Sequence, residues 1–188
     1  AAERVKIQYG TSMCYPVSSM GSHVSVVPNH QLNRKTPLHT RANVAYFGTF
    51  GYELDLNKLS DEEISEVKQQ ITFMKEYREL IQFGTFYRLK SPFEGNETAW
   101  MTVSEDKKTA LVFWYRERNV VNADFTRVRL QGLDPDFIYR NEYNGTENYG
   151  DELMNLGLLT TDCTAGEPTS EDEPCTDYES RVYVLTAK

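Results

Sequence analysis

Residues 51–84, GYELDLNKLSDEEISEVKQQITFMKEYRELIQFG, contain the clearest structural signals in the chain. Residues 51–56 alternate apolar and polar side chains, which is the pattern of a strand. Ser60 and Glu63 then form a capping-box sequence, in which each side chain accepts a hydrogen bond from the other residue's amide. A helix is predicted from there to about residue 82, with Gly84 as its cap. Its apolar stripe contains Ile64, Val67, Ile71, Met74 and Tyr77.

The residues before this stretch repeat the same alternation. Residues 2–15 predict a helix that Pro16 ends, because proline cannot donate an amide inside a helix. Residues 17–27 predict a strand, and Thr36 and Pro37 predict the N-cap and first position of a second helix. Alternating helices and strands are typical of parallel α/β folds. Two strands cannot form a parallel sheet covered on both faces, so we expect residues 1–83 to be part of a larger domain.

The pattern changes at residue 84. Seven short apolar runs follow and predict strands, with a hairpin turn at residues 104–109. The predicted strands are 85–89, 99–104, 109–116, 126–131, 137–143, 152–158 and 181–187. This spacing is typical of an antiparallel sandwich. We therefore expect an all-β C-terminal domain over residues 84–188.

Composition excludes several classes of partner. The 188 residues carry 20 Lys and Arg against 28 Asp and Glu, a net charge of -8. This balance argues against nucleic-acid binding, which depends on clustered cations. Mean hydropathy is -0.58, and no apolar run approaches the roughly 20 residues that cross a bilayer, so we expect no membrane partner.

The three cysteines are Cys14, Cys163 and Cys175. They are too few for a disulfide scaffold or a four-cysteine zinc site, so a reduced, cytoplasmic location is expected. A disulfide between Cys163 and Cys175 remains an alternative in an oxidising compartment.

Two carboxylates share one face of the predicted strand 51–56. Glu53 and Asp55 could be an acid–base pair of the kind that glycoside hydrolysis requires. They could equally be an exposed strand end followed by a helix cap, and the second interpretation is favoured because such carboxylate pairs are common.

Histidines occur only within the first half of the chain, as His23, His30 and His39. Their spacings match no helical i, i+4 pair of metal ligands, so no metal site is predicted. The position of His23 in the predicted strand is a better reason to consider it a candidate site residue. Gly21, Ser22 and His23 occupy the later part of the predicted strand 17–27, and the carboxyl ends of parallel strands face the active site in α/β folds.

Trp100, Trp114 and Tyr115 lie on predicted strands of the second domain. They could form a platform on which a sugar stacks. Core filling is favoured instead, because alternating aromatic and aliphatic residues fill the interior of a sandwich.

Several longer runs resemble one known family, the α-galactosidases (melibiases) of glycoside hydrolase family 36. The runs ERVKIQYGTS (3–12), SSMGSHVSVVPNHQLNRKTPLHTR (18–41), FGYELDLNKLSDEE (50–63) and KEYRELIQFGTFYRL (75–89) resemble the end of its catalytic barrel. GDELMNLG (150–157) and SRVYVL (180–185) resemble its C-terminal sandwich. The resemblance implies an α/β plus all-β fold, namely the last strands and helices of a (β/α)8 TIM barrel followed by an antiparallel β-sandwich.

The resemblance also implies an activity. The family releases terminal α-1,6-linked galactose from melibiose and raffinose-type oligosaccharides by a retaining mechanism with two aspartates. Both aspartates are expected upstream of Ala1, so no catalytic residue is assigned here and the chain alone is predicted to be inactive. Gly21, Ser22 and His23 are the predicted substrate-binding residues. No cofactor is implied.

Other outcomes remain open at this point. Unpaired strand edges lead us to expect a homo-oligomer. The alternatives in function are a non-catalytic carbohydrate-binding or assembly module, and transfer of galactose to raffinose-type acceptors.

Overall fold

A computed structural model describes residues 1–30, 33–120, 125–160 and 177–188. The chain divides into two compact units, Ala1–Phe83 and Gly84–Lys188. Within the described residues, no helix is both long enough and apolar enough to span a bilayer. Cys14 is exposed and free, whereas the proposed Cys163–Cys175 disulfide lies outside the described residues.

The first unit alternates helices and short strands, as predicted. Its elements are α1 (Ala2–Thr11), β1 (His23–Ser25), α2 (Leu38–Ala45), β2 (Gly51–Glu53) and α3 (Asp61–Phe83), with 3₁₀ turns at Val17–Ser19 and Leu56–Lys58. The two strands pair in parallel, with His23 opposite Gly51 and Ser25 opposite Glu53.

Both strands are shorter than the alternation of side chains predicts. The prediction of a strand over residues 17–27 is wrong at its start, because the amide and the hydroxyl of Ser19 both donate to the carbonyl of Pro16 and close a 3₁₀ turn. The second strand ends at Glu53 because the side chain of Asp55 accepts from the Asn57 amide and begins another 3₁₀ turn. Side-chain capping of this kind competes locally with strand formation.

Helix α3 begins at the predicted capping box. The Ser60 amide donates to the Glu63 carboxylate at 3.0 Å, and the Glu63 amide donates to the Ser60 hydroxyl at 3.2 Å. The start predicted for α2 is wrong in detail. That helix begins at Leu38, with Pro37 as an N-cap that makes no side-chain hydrogen bond.

We expect Ser60→Ala to lower the free energy of unfolding of the first unit by about 1 kcal/mol, the usual value of an N-cap hydroxyl. Glu63→Gln is the matched control, because glutamine can also complete a capping box. Urea unfolding followed by ellipticity at 222 nm measures both. Equal losses for the two variants would contradict the assigned role of the Ser60 hydroxyl.

The second unit is rich in strands. Its elements are β3 (Thr85–Lys90), β4 (Glu97–Val103), β5 (Thr109–Arg116), β6 (Arg127–Val128), β7 (Ile138–Asn141), β8 (Glu147–Tyr149), α4 (Gly150–Asn155), β9 (Leu158–Leu159) and β10 (Glu179–Ala187). Six strands form an antiparallel sheet in the order β3-β4-β5-β10-β7-β8, while β6 and β9 pair separately. Two antiparallel sheets of this kind are consistent with the predicted sandwich.

Local turn signals in this unit have mixed outcomes. The hairpin turn at residues 104–109 is confirmed, because the Ser104 amide donates to the Thr109 carbonyl at 2.9 Å. The strand predicted over residues 152–158 is wrong, because most of it is helix α4. Asp151 and Glu152 lie in the first turn of α4, where acidic side chains interact favourably with the positive end of the helix dipole. Gly157 follows the helix with φ +94°, a left-handed conformation that is common just after a helix ends.

The core of the second unit lies around the middle strands of the six-stranded sheet. Side chains on both faces of β4 and β5 are buried. Trp114 packs with Met101, Tyr139 and Tyr183 in one cluster. Trp100 stacks on Phe113 with ring centroids 4.6 Å apart.

Trp100, Trp114 and Tyr115 are 1%, 0% and 3% exposed. Core filling is therefore confirmed, and these three rings offer no surface on which a sugar could stack.

Candidate functional site

The two parallel strands of the first unit have one face directed at helices and one polar face. Val24 is fully buried, and its neighbour Tyr52 donates its hydroxyl to the side chain of Gln70 on α3 at 2.8 Å. Because side chains alternate along a strand, His23 and Glu53 project from the opposite face. Two of the candidate residues identified in the sequence, His23 and Glu53, therefore lie on this polar face.

His23 lies between two charged side chains. Its Nε2 atom is 2.8 Å from Nη2 of Arg4 and 2.5 Å from Oε2 of Glu53. A single ring nitrogen carries either a proton or a lone pair. The two contacts therefore compete for this one atom, because a lone pair on Nε2 accepts from Arg4, whereas a proton on Nε2 is donated to Glu53. We call these three residues the Arg4–His23–Glu53 cluster.

Gly21 and Ser22 lie just before the strand, and His23 is its first residue. The prediction that they occupy the later part of the strand is wrong, because β1 starts later than predicted and its carboxyl end is Ser25. Gly21 is exposed. Ser22 is buried, and its hydroxyl donates to the carbonyl of Ala45 on α2 at 2.5 Å. Only His23 among the three carries a side chain on the polar face.

A small cavity lies at the carboxyl end of β1. Its volume is about 20 Å³, room for about one water molecule. Arg41 lines it and is buried, donating from Nε to the Thr36 carbonyl at 3.0 Å and from Nη1 to the Ser25 carbonyl at 2.6 Å. Burial lowers the pKa of Arg41, although a guanidinium stays charged at neutral pH. Arg41 thus ties the end of β1 to helix α2.

Glu53 and Asp55 have separate partners. Glu53 contacts His23, whereas Asp55 accepts from the Asn57 amide at 3.1 Å and lies 3.8 Å from the Lys58 ammonium. Asp55 is thus a cap, and the structure gives the two carboxylates different roles.

His30 and His39 are exposed. Across the described residues, no group of three or more His, Cys, Asp or Glu side chains could hold a metal ion.

Two tyrosines near the strands escaped the sequence analysis, because their environment depends on packing against α3. Tyr46 packs on Phe73 with ring centroids 4.6 Å apart. Burial, reinforced by the nearby Glu66 carboxylate, raises the pKa of Tyr52 to about 12. The pKa of Tyr46 is also raised, mainly by burial and to a smaller extent by the nearby Tyr52 and Glu66.

We expect the first unit to lose stability as the pH rises above about 10, the ordinary pKa of tyrosine. Above that pH the unfolded tyrosines ionise while the folded ones keep their protons, so the unfolded state binds fewer protons and is favoured. In the Tyr52→Phe variant the free energy of unfolding should fall less steeply with pH. Urea unfolding at 222 nm between pH 9 and 12 measures the slope, and an unchanged slope in the variant would contradict the raised pKa of Tyr52.

Two family models match the chain, in the order of its two units. The Melibiase model matches residues 1–84, and the model of the glycosyl hydrolase family 36 C-terminal domain matches residues 97–185. The fold and these matches place the chain among the glycoside hydrolase families. The chain belongs to glycoside hydrolase family 36 and corresponds to the C-terminal part of its α-galactosidases.

Individual relatives agree with this assignment. Alpha-galactosidase AgaA of Geobacillus stearothermophilus is 54% identical over 158 residues, which are 84% of this chain and 22% of AgaA. Alpha-galactosidase 1 of Pediococcus pentosaceus is 45% identical over 187 residues, 100% of this chain and 24% of that enzyme. The chain therefore spans about a quarter of the length of these relatives.

Solved structures match over the whole chain. A variant of Geobacillus AgaA in complex with 1-deoxygalactonojirimycin superposes with a TM-score of 0.90 at 47% identity, covering 100% of this chain and 24% of that one. Another AgaA variant, in complex with raffinose, superposes with a TM-score of 0.89 at 48% identity and the same coverage.

Proposed function

We propose that this chain is the C-terminal portion of a retaining α-galactosidase that releases terminal α-1,6-linked galactose from melibiose and raffinose-type oligosaccharides. The observation that carries the proposal is the likeness of the whole chain, at 47% identity and a TM-score of 0.90, to an α-galactosidase in complex with 1-deoxygalactonojirimycin. Other variants of that enzyme bind raffinose and stachyose in their crystals.

We further propose that the first unit is the end of a (β/α)8 barrel. In this assignment β1 and β2 are the seventh and eighth barrel strands, and α3 is the closing helix. Their parallel register supports it. So does the division of the strands into one face directed at helices and one polar face, because a barrel has helices outside and a site at the carboxyl ends of its strands.

The chain alone is proposed to be inactive. A retaining glycosidase needs two carboxyl groups about 5–5.5 Å apart across the scissile bond. Glu53 contacts an imidazole and Asp55 caps a turn, so neither is proposed as one of these groups. The resemblance to the family implies that both aspartates of the mechanism lie upstream of Ala1, and we propose that position for them. We propose that His23, with Gly21 and Ser22 beside it, lies next to the substrate. We also propose that the complete enzyme is cytoplasmic and a homo-oligomer.

The test compares the 188-residue chain with the protein in which it is continuous with its upstream sequence. We expect the longer protein to release galactose from melibiose and raffinose, and the chain alone to release none. Galactose binding by the chain alone, measured by titration calorimetry, would favour a carbohydrate-binding module instead. A longer protein that builds larger oligosaccharides from raffinose would favour galactosyl transfer.

A further inference from the structure

The turn between β7 and β8 contains a chemically reactive pair of residues. Asn144 is followed by Gly145, the only place in the sequence where glycine follows asparagine. The pair lies between β7 (Ile138–Asn141) and β8 (Glu147–Tyr149), and both residues are exposed. Because glycine has no Cβ, its backbone nitrogen can approach the side-chain amide of the preceding asparagine more closely than that of any other residue.

The reaction open to this pair is deamidation. The Gly145 nitrogen gives its proton to water or hydroxide and forms a bond to Cγ of Asn144. The bond from Cγ to Nδ2 then breaks, and that nitrogen takes up a proton and leaves as ammonia. The result is a five-membered imide ring, and water opens it at one of its two carbonyl carbons. The product is an aspartate or an isoaspartate, each with a new carboxylate.

Three hydrogen bonds hold the reacting groups in the folded turn. The Gly145 amide donates to the carbonyl of Asn141 at 2.7 Å, so the proton that must leave is bound within the turn. Oδ1 of Asn144 accepts from the Thr146 amide at 3.1 Å and from the Thr146 hydroxyl at 2.8 Å. These bonds restrict the rotation that would bring Cγ to the Gly145 nitrogen.

The backbone around the pair is also tied into the sheet. The Asn141 amide donates to the Thr146 carbonyl at 2.8 Å, and the Asn141 side chain accepts from the Tyr143 amide at 3.0 Å. Gly145 has φ +72°, a conformation that glycine adopts without strain. Asn141 also lies opposite Leu185 of β10. Freeing the Gly145 nitrogen therefore disturbs bonds on which the end of this hairpin depends.

We propose that Asn144 is a deamidation site that the folded turn protects, so that modification of Asn144 records how often this end of the hairpin opens. When opening and closing are fast, such a reaction follows the population of the open form. Hydrogen bonds of ordinary strength favour the closed form by about 10-fold or more. The aspartate product keeps an oxygen that can accept from Thr146. Isoaspartate instead adds a carbon atom to the main chain between Asn141 and Thr146, and the turn cannot close as before.

The test incubates the protein for several weeks in mildly alkaline buffer, folded and in concentrated urea. Peptide mass spectrometry measures the conversion of each asparagine amide to an acid. We expect Asn144 to react at least about 10-fold more slowly in the folded protein than in urea. Asn148 is an internal reference, because the tyrosine that follows it hinders the same attack, and it should react slowly under both conditions.

Two variants make the result specific. Thr146→Val removes the hydroxyl but keeps the backbone amide and the shape of the side chain. We expect it to speed deamidation of Asn144 in the folded protein by about 3-fold to 10-fold, as the loss of one hydrogen bond would, and to leave the rate in urea unchanged. Thr72→Val is the matched control, because Thr72 is exposed on α3 and bonds to Lys68, so the rate should not change. Circular dichroism confirms that each variant is folded.

Several results would overturn the proposal. Equal rates for Asn144 in the folded protein and in urea would show that the turn gives no protection. An unchanged rate in the folded Thr146→Val variant would contradict the role of its hydroxyl. A slower rate would show that Thr146 activates the Cγ carbonyl, as the donors of an oxyanion hole do. An Asn144 that stays an amide even in urea is not a modification site.

Discussion

Replacing Trp114 with alanine should lower the free energy of unfolding of the second unit by about 3–5 kcal/mol, the usual cost of truncating a buried aromatic side chain. Trp114 is fully buried in the cluster that joins the two middle strands to Tyr139 and Tyr183. Its ring also lies 5.4 Å from the guanidinium carbon of Arg116. The cavity left by the indole is bounded by strands that are hydrogen-bonded on both sides, so it cannot collapse.

Trp114→Phe is the matched control. The indole Nε1 has no hydrogen-bond partner among the described residues, so phenylalanine removes a buried polar group while filling part of the space. We expect a loss of about 1–2 kcal/mol. The chain has two tryptophans, both in the second unit, so urea unfolding followed by the fluorescence of Trp100 measures either variant. Equal losses for alanine and phenylalanine would contradict the packing role.

Gly48→Ala should destabilise the first unit by about 3 kcal/mol, the upper range for overpacking. A Cβ atom at this position would lie 2.7 Å from the carbonyl oxygen of Met20 and still closer to the hydroxyl of Ser22. Neither atom can move freely, because the Met20 carbonyl accepts from the Thr49 amide and Ser22 donates to Ala45. The substitution would therefore push the start of β1 away from α2.

Gly51→Ala is the control, since a Cβ there meets nothing within 4 Å. Ellipticity at 222 nm follows the first unit, because α1, α2 and α3 lie in it and the described second unit adds only the short α4. A Gly48→Ala chain as stable as the Gly51→Ala chain would show that β1 and α2 approach each other less closely than the structure indicates.

Signals that depend on a few neighbouring residues were predicted well. The capping box at Ser60 and Glu63 and the turn at residues 104–109 each depend on hydrogen bonds within a handful of residues. For that reason the sequence alone predicts them, and with them the order of elements in the first unit. The burial of Trp100 and Trp114 was also predicted, because the pattern of aromatic and aliphatic residues indicates a sheet interior.

Features that depend on distant contacts were not predicted. The residues of the Arg4–His23–Glu53 cluster are far apart in the sequence. His23 and Glu53 meet because β1 and β2 pair in one parallel register, and Arg4 reaches His23 from helix α1. Nothing in the sequence marks Arg4, and Glu53 stood out only as one of two carboxylates on a strand, not as a partner of His23. Helix α4 was missed because apolar spacing within a short run does not distinguish a strand from one turn and a half of helix.

The order of strands in the second unit has a consequence for its synthesis. β10 lies between β5 and β7 in the six-stranded sheet, although it is the last of these strands to be made. Until Glu179–Ala187 has been synthesised, β3, β4 and β5 can pair with one another, and β7 can pair with β8. Each of these two groups then keeps an unpaired edge strand, β5 in one and β7 in the other, between which β10 later inserts. Such edges invite pairing with other chains. The newly made protein therefore depends on a late insertion, and a chaperone that shields those two edges would protect the nascent chain at its most vulnerable stage.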